Sequence, residues 1–163
     1  MKKLFLIAVV LFTTHLCRAQ EELSFPFQGG MKVMNNFFNE NIIASQDMKI
    51  RKASGMAIFK FTADDKGQIS KIVIYYADDI QFTGPVIEAL KKSNRKWIIP
   101  NHEKFHDFIL PFSINFNIPT TGNAAVQSSY YDFYLHRQPV TPPDQIPLDE
   151  ATLLPVIVIH YDL

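Results

Sequence analysis

Cysteine is almost missing from this chain. Cys17 is the only one in 163 residues, and it sits in a segment that reads as a removable leader. A mature chain without it can form no disulfide, offer no cysteine nucleophile and build no thiolate metal site. An excess of charge is missing too. Lys2, Lys3 and Arg18 lie in the leader, so the remainder carries 13 basic against 16 acidic residues, a net charge of −3. That balance gives no electrostatic footprint for nucleic acid or an anionic membrane. The apolar run Leu4 to Phe12 is too short for a bilayer span, which needs about 20 residues. There is no internal repeat, no glycine-rich phosphate loop and no Ser-His-Asp order.

The leader has the three parts of a secretory signal. Lys2-Lys3 form a positive start, Leu4 to Phe12 an apolar middle, and Cys17-Arg18-Ala19 place small residues at the −3 and −1 positions of a cut before Gln20. The expected location is therefore the periplasm or the cell exterior. The alternatives are a lipid anchor on Cys17 and a retained membrane anchor. Leu16 argues against the lipid anchor, because a lipobox wants Gly, Ala or Ser there.

What remains has ample material for one apolar core: 47% of the chain is hydrophobic and 14 residues are Phe. Val33, Met34, Phe37, Phe38 and Ile42 recur at helical spacing, which predicts an amphipathic helix over Met31 to Ile43 after the Gly29-Gly30 break. Ala57, Phe59, Phe61 and Ala63 alternate with Met56, Ile58, Lys60 and Thr62, a strand pattern. Asp64-Asp65-Lys66-Gly67 supplies a turn. A second strand follows from Ile69 to Tyr76, with Ile72, Ile74 and Tyr76 expected on one face. Phe82 to Lys92 reads as a helix with Thr83 as N-cap, Pro85 in its first turn and Val86, Ile87 and Leu90 as its apolar stripe. Trp97 is expected in the core. Phe108, Leu110, Phe112, Ile114, Phe116 and Ile118 then alternate with polar Ser113, Asn115 and Asn117, a half-buried strand. Pro111 has no N–H for a ladder, so one side of that strand is expected to be an edge there. Beyond it, Thr120 to Ser129 is small and polar, Pro139, Pro142, Pro143 and Pro147 mark an irregular stretch, and Leu153 to Tyr161 is β-like again.

In this order the residues resemble the C-terminal domain of the TonB family, in a Bacteroidetes-like form, over about residues 25 to 118. The resemblance lies in Phe25-Pro26 with Gly29-Gly30, in Asn41-Ile42 closing the first helix, and in Gly55 before the hairpin. It continues through Phe61, Asp64 or Asp65, Gly67 and Ile69 in the hairpin, Glu88-Ala89-Leu90, Trp97 with Pro100, and Pro111-Phe112 to Phe116. It implies an α+β fold in two layers: an antiparallel β-sheet of about three to four strands with two helices on one face. It also implies three regions, a signal peptide over 1–19, the α+β domain over 20–119 and a Pro-rich extension over 120–163 with a terminal strand. Neither the anchor nor the long spacer of an energy transducer is visible, so the expected form is stand-alone and exported.

Members of that family add an extended receptor peptide to an exposed sheet edge, a mode that draws on backbone hydrogen bonds. By position the edge would be Pro111, Phe112, Ser113, Ile114, Asn115, Phe116 and Asn117, the other reading of this segment being an ordinary core strand. The expected partner is an envelope protein or extended peptide, such as an outer-membrane receptor, with no cofactor. Ile114→Pro or Asn115→Pro should then abolish binding. The tail from Leu153 to Tyr161 is apolar enough to lie on the same edge and mask it. Deleting 140–163 would in that case expose the edge and raise binding or promote dimers.

One motif points elsewhere. His102-Glu103-Lys104-Phe105-His106 has the His-Glu-x-x-His pattern of zinc peptidases. On a helix the histidines hold zinc and the glutamate activates its water, with His136, Glu150 or His160 as a third ligand. Pro100 and Pro111 leave under three turns for that helix at about 3.6 residues per turn. The enzyme reading is thus the alternative, and a solvated turn the expectation. Asp64-Asp65 and Asp78-Asp79 lack the spacing of a calcium loop and read as turns. Tyr130-Tyr131 with Phe133-Tyr134 read as an aromatic strand or a tail packed on the sheet, with stacking on sugar or peptide as the other option.

Overall fold

The computed structural model describes residues 25–118 and 124–162. The predicted leader and its cleavage point lie outside the described residues. The chain folds as α+β around a mixed, mostly antiparallel sheet of five strands.

Helix α1 spans Gly30–Asn41 and turns Met34 and Phe38 fully inward, with Ile42 just beyond its end. Val33, at a stripe position in the sequence, is 47% exposed; the inward line is the i, i+4 series alone. A second helix, α2, occupies Gln46–Arg51, where no periodicity foretold one. Ser45 caps it by accepting the Met48 N–H.

Strands β1 (Gly55–Asp64) and β2 (Ile69–Ala77) form the expected hairpin. In the turn, Asp64 Oδ1 accepts the Lys66 and Gln68 amides, and Gly67 takes a φ of +70°. A Cβ on Gly67 would stand 2.4 Å from the Trp97 carbonyl oxygen, so both the angle and the space require glycine. Ala57, Phe59, Phe61 and Ala63 are all buried, as their alternation predicts. The expectation for β2 fails at one residue. Phe59 pairs with Ile74 but Ile58 pairs with Tyr76, so Tyr75 is an extra residue and Tyr76 is thrown to the opposite face from Ile72 and Ile74.

A 3₁₀ turn (Ile80–Phe82) leads into helix α3 (Thr83–Lys92). Asp79 caps the 3₁₀ turn, its carboxylate accepting the Gln81 and Gln138 amides; α3 itself starts after Phe82 with no side-chain cap, and Thr83, expected as that cap, donates its hydroxyl to the Ile80 carbonyl. Val86 and Leu90 face the core. Trp97 is buried as expected and its indole N–H donates to Ser93.

Strand β3 (Phe105–Phe116) pairs antiparallel with β1. Its even-numbered residues from 106 to 116 are buried, and Phe112 meets Phe38 of α1 at 5.3 Å between ring centres. Helix α4 (Ala124–Leu135) corrects the expectation of an aromatic strand or tail over 130–134. It docks through Phe133, which packs on Phe82 and under the Arg51 guanidinium, while Tyr131 and Tyr134 stay exposed.

The extension then returns to the sheet. Strands β4 (Thr152–Leu153) and β5 (Ile157–Tyr161) both run parallel to β3. This makes the sheet mixed with five strands, where three to four antiparallel ones were expected. Leu154, Ile157, Ile159 and Tyr161 join the same core as Phe59 and Phe112, so the extension shares the core of the preceding residues.

Candidate functional site

The predicted partner edge, Pro111 to Asn117, is not open. β3 lies between β1 and the tail, with Phe112 to Phe116 beside Ile157 to Tyr161. The reason is on the tail: residues 157, 159 and 161 are apolar at strand spacing and find the core face beside β3. The tail pairing expected from the sequence is therefore present, and the rim of the sheet moves outward to β4 and β5.

The ladder geometry tells which groups face that rim. Asn117 donates its N–H to the Tyr161 carbonyl, and Leu154 donates to the Ile109 carbonyl. Odd-numbered residues of β3 thus turn their backbone toward the tail. Pro111 is one of them, so its missing N–H falls on the tail side. There Ile109 pairs with Leu153 but Phe112 pairs with Ile157, which sets one extra tail residue opposite Pro111, next to Pro155. The local break that proline implies exists, but it is a gap between β4 and β5.

In a parallel ladder each tail residue that bonds β3 alternates with one that points away. Ile157, Ile159 and Tyr161 bond inward. Val158 and His160 turn their N–H and C=O groups outward, and among the described residues no strand or backbone group pairs with them. Apart from the exposed His160, the exposed side chains along this rim are apolar: Leu153 is 68% exposed, and Val156 and Val158 are 46% exposed.

β5 itself is firmly held. The Tyr161 hydroxyl donates to the Ala53 carbonyl at 2.7 Å, with the Met48 carbonyl at 3.0 Å. Burial pushes this phenol well above its ordinary pKa. Asn117 donates to Asp162, and its amide oxygen stands 3.1 Å from the His160 ring.

The His-Glu-x-x-His residues do not form a helix. His102 sits in a turn with φ of +74°, and His106 is the second residue of β3. His106 Nδ1 lies 2.6 Å from Glu103 Oε2 and its Nε2 lies 2.7 Å from Thr152 Oγ1. His136 instead contacts Asp132 on α4, and His160 contacts Asn117. Among the described residues no group of three or more metal-ligating side chains comes together. The helix that the zinc alternative requires is replaced by a turn and a strand.

The acidic pairs are placed as turn and junction residues. Asp64 organises the hairpin turn. Asp78 accepts the Met56 amide and the Tyr76 hydroxyl and meets Arg137 at 3.2 Å; Asp79 is fully buried beside Arg51. Donating to Asp78 raises the Tyr76 pKa. On the outer face of the sheet, Ile58, Tyr75 and Tyr76 border an open groove of about 800 Å³ with Pro142, Pro143 and Ile146. Next to it Lys60 bonds Asp107 at 2.8 Å and the Pro147 carbonyl. Burial opposes ionisation of Asp107, yet its bonds from Lys60 and Thr62 hold its pKa below the ordinary carboxylate value.

No helix among the described residues is long and apolar enough to cross a membrane. Comparison with family models, with curated proteins and with solved structures finds no match.

Proposed function

We propose that this protein is an exported binding module that captures an extended peptide, or an extended segment of an envelope protein, by adding it to the sheet beside β5. The observation behind this reading is the rim of β5: outward backbone groups at Val158 and His160, bordered by the exposed apolar side chains of Leu153, Val156 and Val158. Peptide addition of this kind needs free N–H and C=O groups in strand spacing, with nearby side chains to select the guest. A five-residue strand offers a small surface, well below the roughly 800 Å² per partner of a stable dimer, so a peptide guest fits it better than a second copy. The resemblance to the TonB C-terminal family agrees with such a mode and suggests an outer-membrane receptor as the partner. Under this reading the edge has shifted by one strand from the residues expected in the sequence.

The shift changes the decisive substitution. Ile114→Pro and Asn115→Pro both strike a strand that is paired on two sides, so they would unfold the protein. Val158→Pro removes an outward N–H that the β3 ladder does not use. Peptides selected from a random displayed library against the wild-type protein should lose binding to Val158→Pro at least tenfold, with the fold retained by circular dichroism. Selected peptides that bind the variant equally well, or a library that yields no binder, would overturn the proposal.

A further inference from the structure

Glu103, His106 and Thr152 stand in the order carboxylate, imidazole, hydroxyl. Glu103 Oε2 is 2.6 Å from His106 Nδ1, and His106 Nε2 is 2.7 Å from Thr152 Oγ1. The three come from separate parts of the chain: the turn before β3, β3 itself, and β4, 46 residues further on. The carboxylate beside Nδ1 selects the tautomer with the proton on that nitrogen. Nε2 is then left with its lone pair facing the threonine hydroxyl. The imidazole is held by burial, at 9% exposure, and by the Phe108 ring, 4.8 Å away between ring centres. Thr152 is half-buried and its neighbour Leu153 is exposed, so this end of the array lies at the rim of the sheet.

The geometry points to Thr152 as a nucleophile toward small, activated carboxylic esters, with His106 as its general base and Glu103 as the positioning residue. The arrangement meets the general test for an activated nucleophile: a base within hydrogen-bond reach, itself oriented by a third group. Thr152 Oγ1 attacks the ester carbonyl carbon as its proton passes to His106 Nε2. A new O–C bond forms, the ester's own C–O bond breaks, and the imidazolium returns the proton to the departing alkoxide. Water then cleaves the acyl-threonine by the same proton path, so no oxidant or other co-reactant is needed. Leu153, next in the chain, turns its amide away from the ladder because Thr152 and Leu154 are the tail residues that bond β3. That amide is one donor for the developing oxyanion. A single donor gives modest stabilisation, since one such bond is worth about 10²–10³ in rate. Acylation outpacing deacylation, and slow turnover, are the expected behaviour.

The test uses p-nitrophenyl acetate on the full chain, with p-nitrophenolate release followed by absorbance and the acetyl group located by peptide mass spectrometry. The wild type should acquire an acetyl group on Thr152, and Thr152→Ser should as well. Thr152→Val should not, and His106→Gln should slow the step by about 10²-fold or more, the usual share of general base catalysis. Glu103→Gln should lower kcat and leave KM unchanged, which a merely structural carboxylate would not do. Circular dichroism confirms that each variant is folded; should His106→Gln unfold, Thr152→Val carries the comparison. No acetyl on Thr152, or one that forms as fast in His106→Gln, overturns the inference. Labelling confined to lysines or other histidines overturns it too.

Discussion

The sheet has two rims, and they are finished in opposite ways. β2 is capped at both ends and irregular between them. At one end the Ile69 amide donates to Asn94 Oδ1; at the other Ala77 exchanges two backbone bonds with Val140. Between them two register shifts insert Ser70 and Tyr75 as extra residues, and Lys71 is exposed. Bulges, a lysine and capped ends are the means by which edge strands avoid unwanted pairing. β5 carries none of these. It is regular over Ile157–Tyr161, pairs residue for residue with β3, and shows valines to solvent. The contrast between an irregular, end-capped β2 and a regular β5 with Val158 exposed is the ground of the proposed peptide addition. The comparison also explains why β5 can afford to be exposed on one side: its other side is core.

Removing the rim formed by β4 and β5 should have the largest effect on the molecule. Burying Leu154, Ile157 and Ile159 contributes on the order of 5–9 kcal/mol at about 1.5–3 kcal/mol per side chain, an upper estimate. That is comparable with the whole stability of a typical domain, about 5–15 kcal/mol. Deleting residues 152–162 should therefore unfold the chain or leave a loose globule that binds the dye ANS and melts without cooperativity. A folded truncation with higher peptide affinity would instead make the tail a displaceable mask, as the sequence alone allowed. Single truncations sharpen the same contrast. Ile157→Ala, at a fully buried site, should cost about 2–5 kcal/mol by denaturant titration. Ile72→Ala, half-buried on β2, should cost about half as much. Equal costs would mean that the two rims are equally embedded.

Charge tests the rims at a smaller scale. Val158→Lys places a cation on the open rim with no burial penalty, since that side chain is 46% exposed. Stability should change by less than about 1 kcal/mol. Peptides selected on the wild type should bind it several-fold less well, and any self-association at high concentration should fall. Ser70→Lys, on the β2 rim, should leave both unchanged. A matching loss of binding in Ser70→Lys would place the guest on β2.

How far these features could be read in advance depends on where their causes lie along the chain. The hairpin, the inward faces of β1 and β3, and the helices α1 and α3 were legible because their signals are local: a turn with glycine at positive φ, and periods of two or about 3.6 residues. The tail strand was legible for the same reason. Tyr76 was misplaced because the bulge at Tyr75 is set by how β2 meets β1, and alternation within β2 does not show it. α4 was missed because its aromatic residues form no stripe; Phe133 holds it through Phe82 and Arg51, both remote in sequence. Pro111 to Asn117 does not itself show what pairs with it; the apolar alternation of the tail does, and β5 occupies that side of β3. The motif around His106 shows one of its contacts, Glu103, three residues away, but not the other, Thr152, which no local pattern connects to it.

The smallest expected effect isolates the peg at the end of β5. The Tyr161 hydroxyl is buried against two carbonyl oxygens, a site that accepts the neutral phenol and rejects the phenolate. Its folded-state pKa is raised, so the folded chain holds this proton more tightly than the unfolded chain does. The resulting stability is fully present below the unfolded value of about 10 and declines as pH rises above it. Tyr161→Phe loses the hydrogen bond, at a cost of about 0.5–1.5 kcal/mol at neutral pH, but it also loses this alkaline sensitivity. The wild-type and variant stability curves should therefore converge between about pH 10 and 12. Tyr76, on the outer face of the sheet, serves as the control, because its phenol belongs to the junction with Asp78 and Arg137 and leaves β5 alone. Curves that stay parallel through that range would show that the hydroxyl is hydrated, and that the end of β5 is held by Ile157 and Ile159 without it.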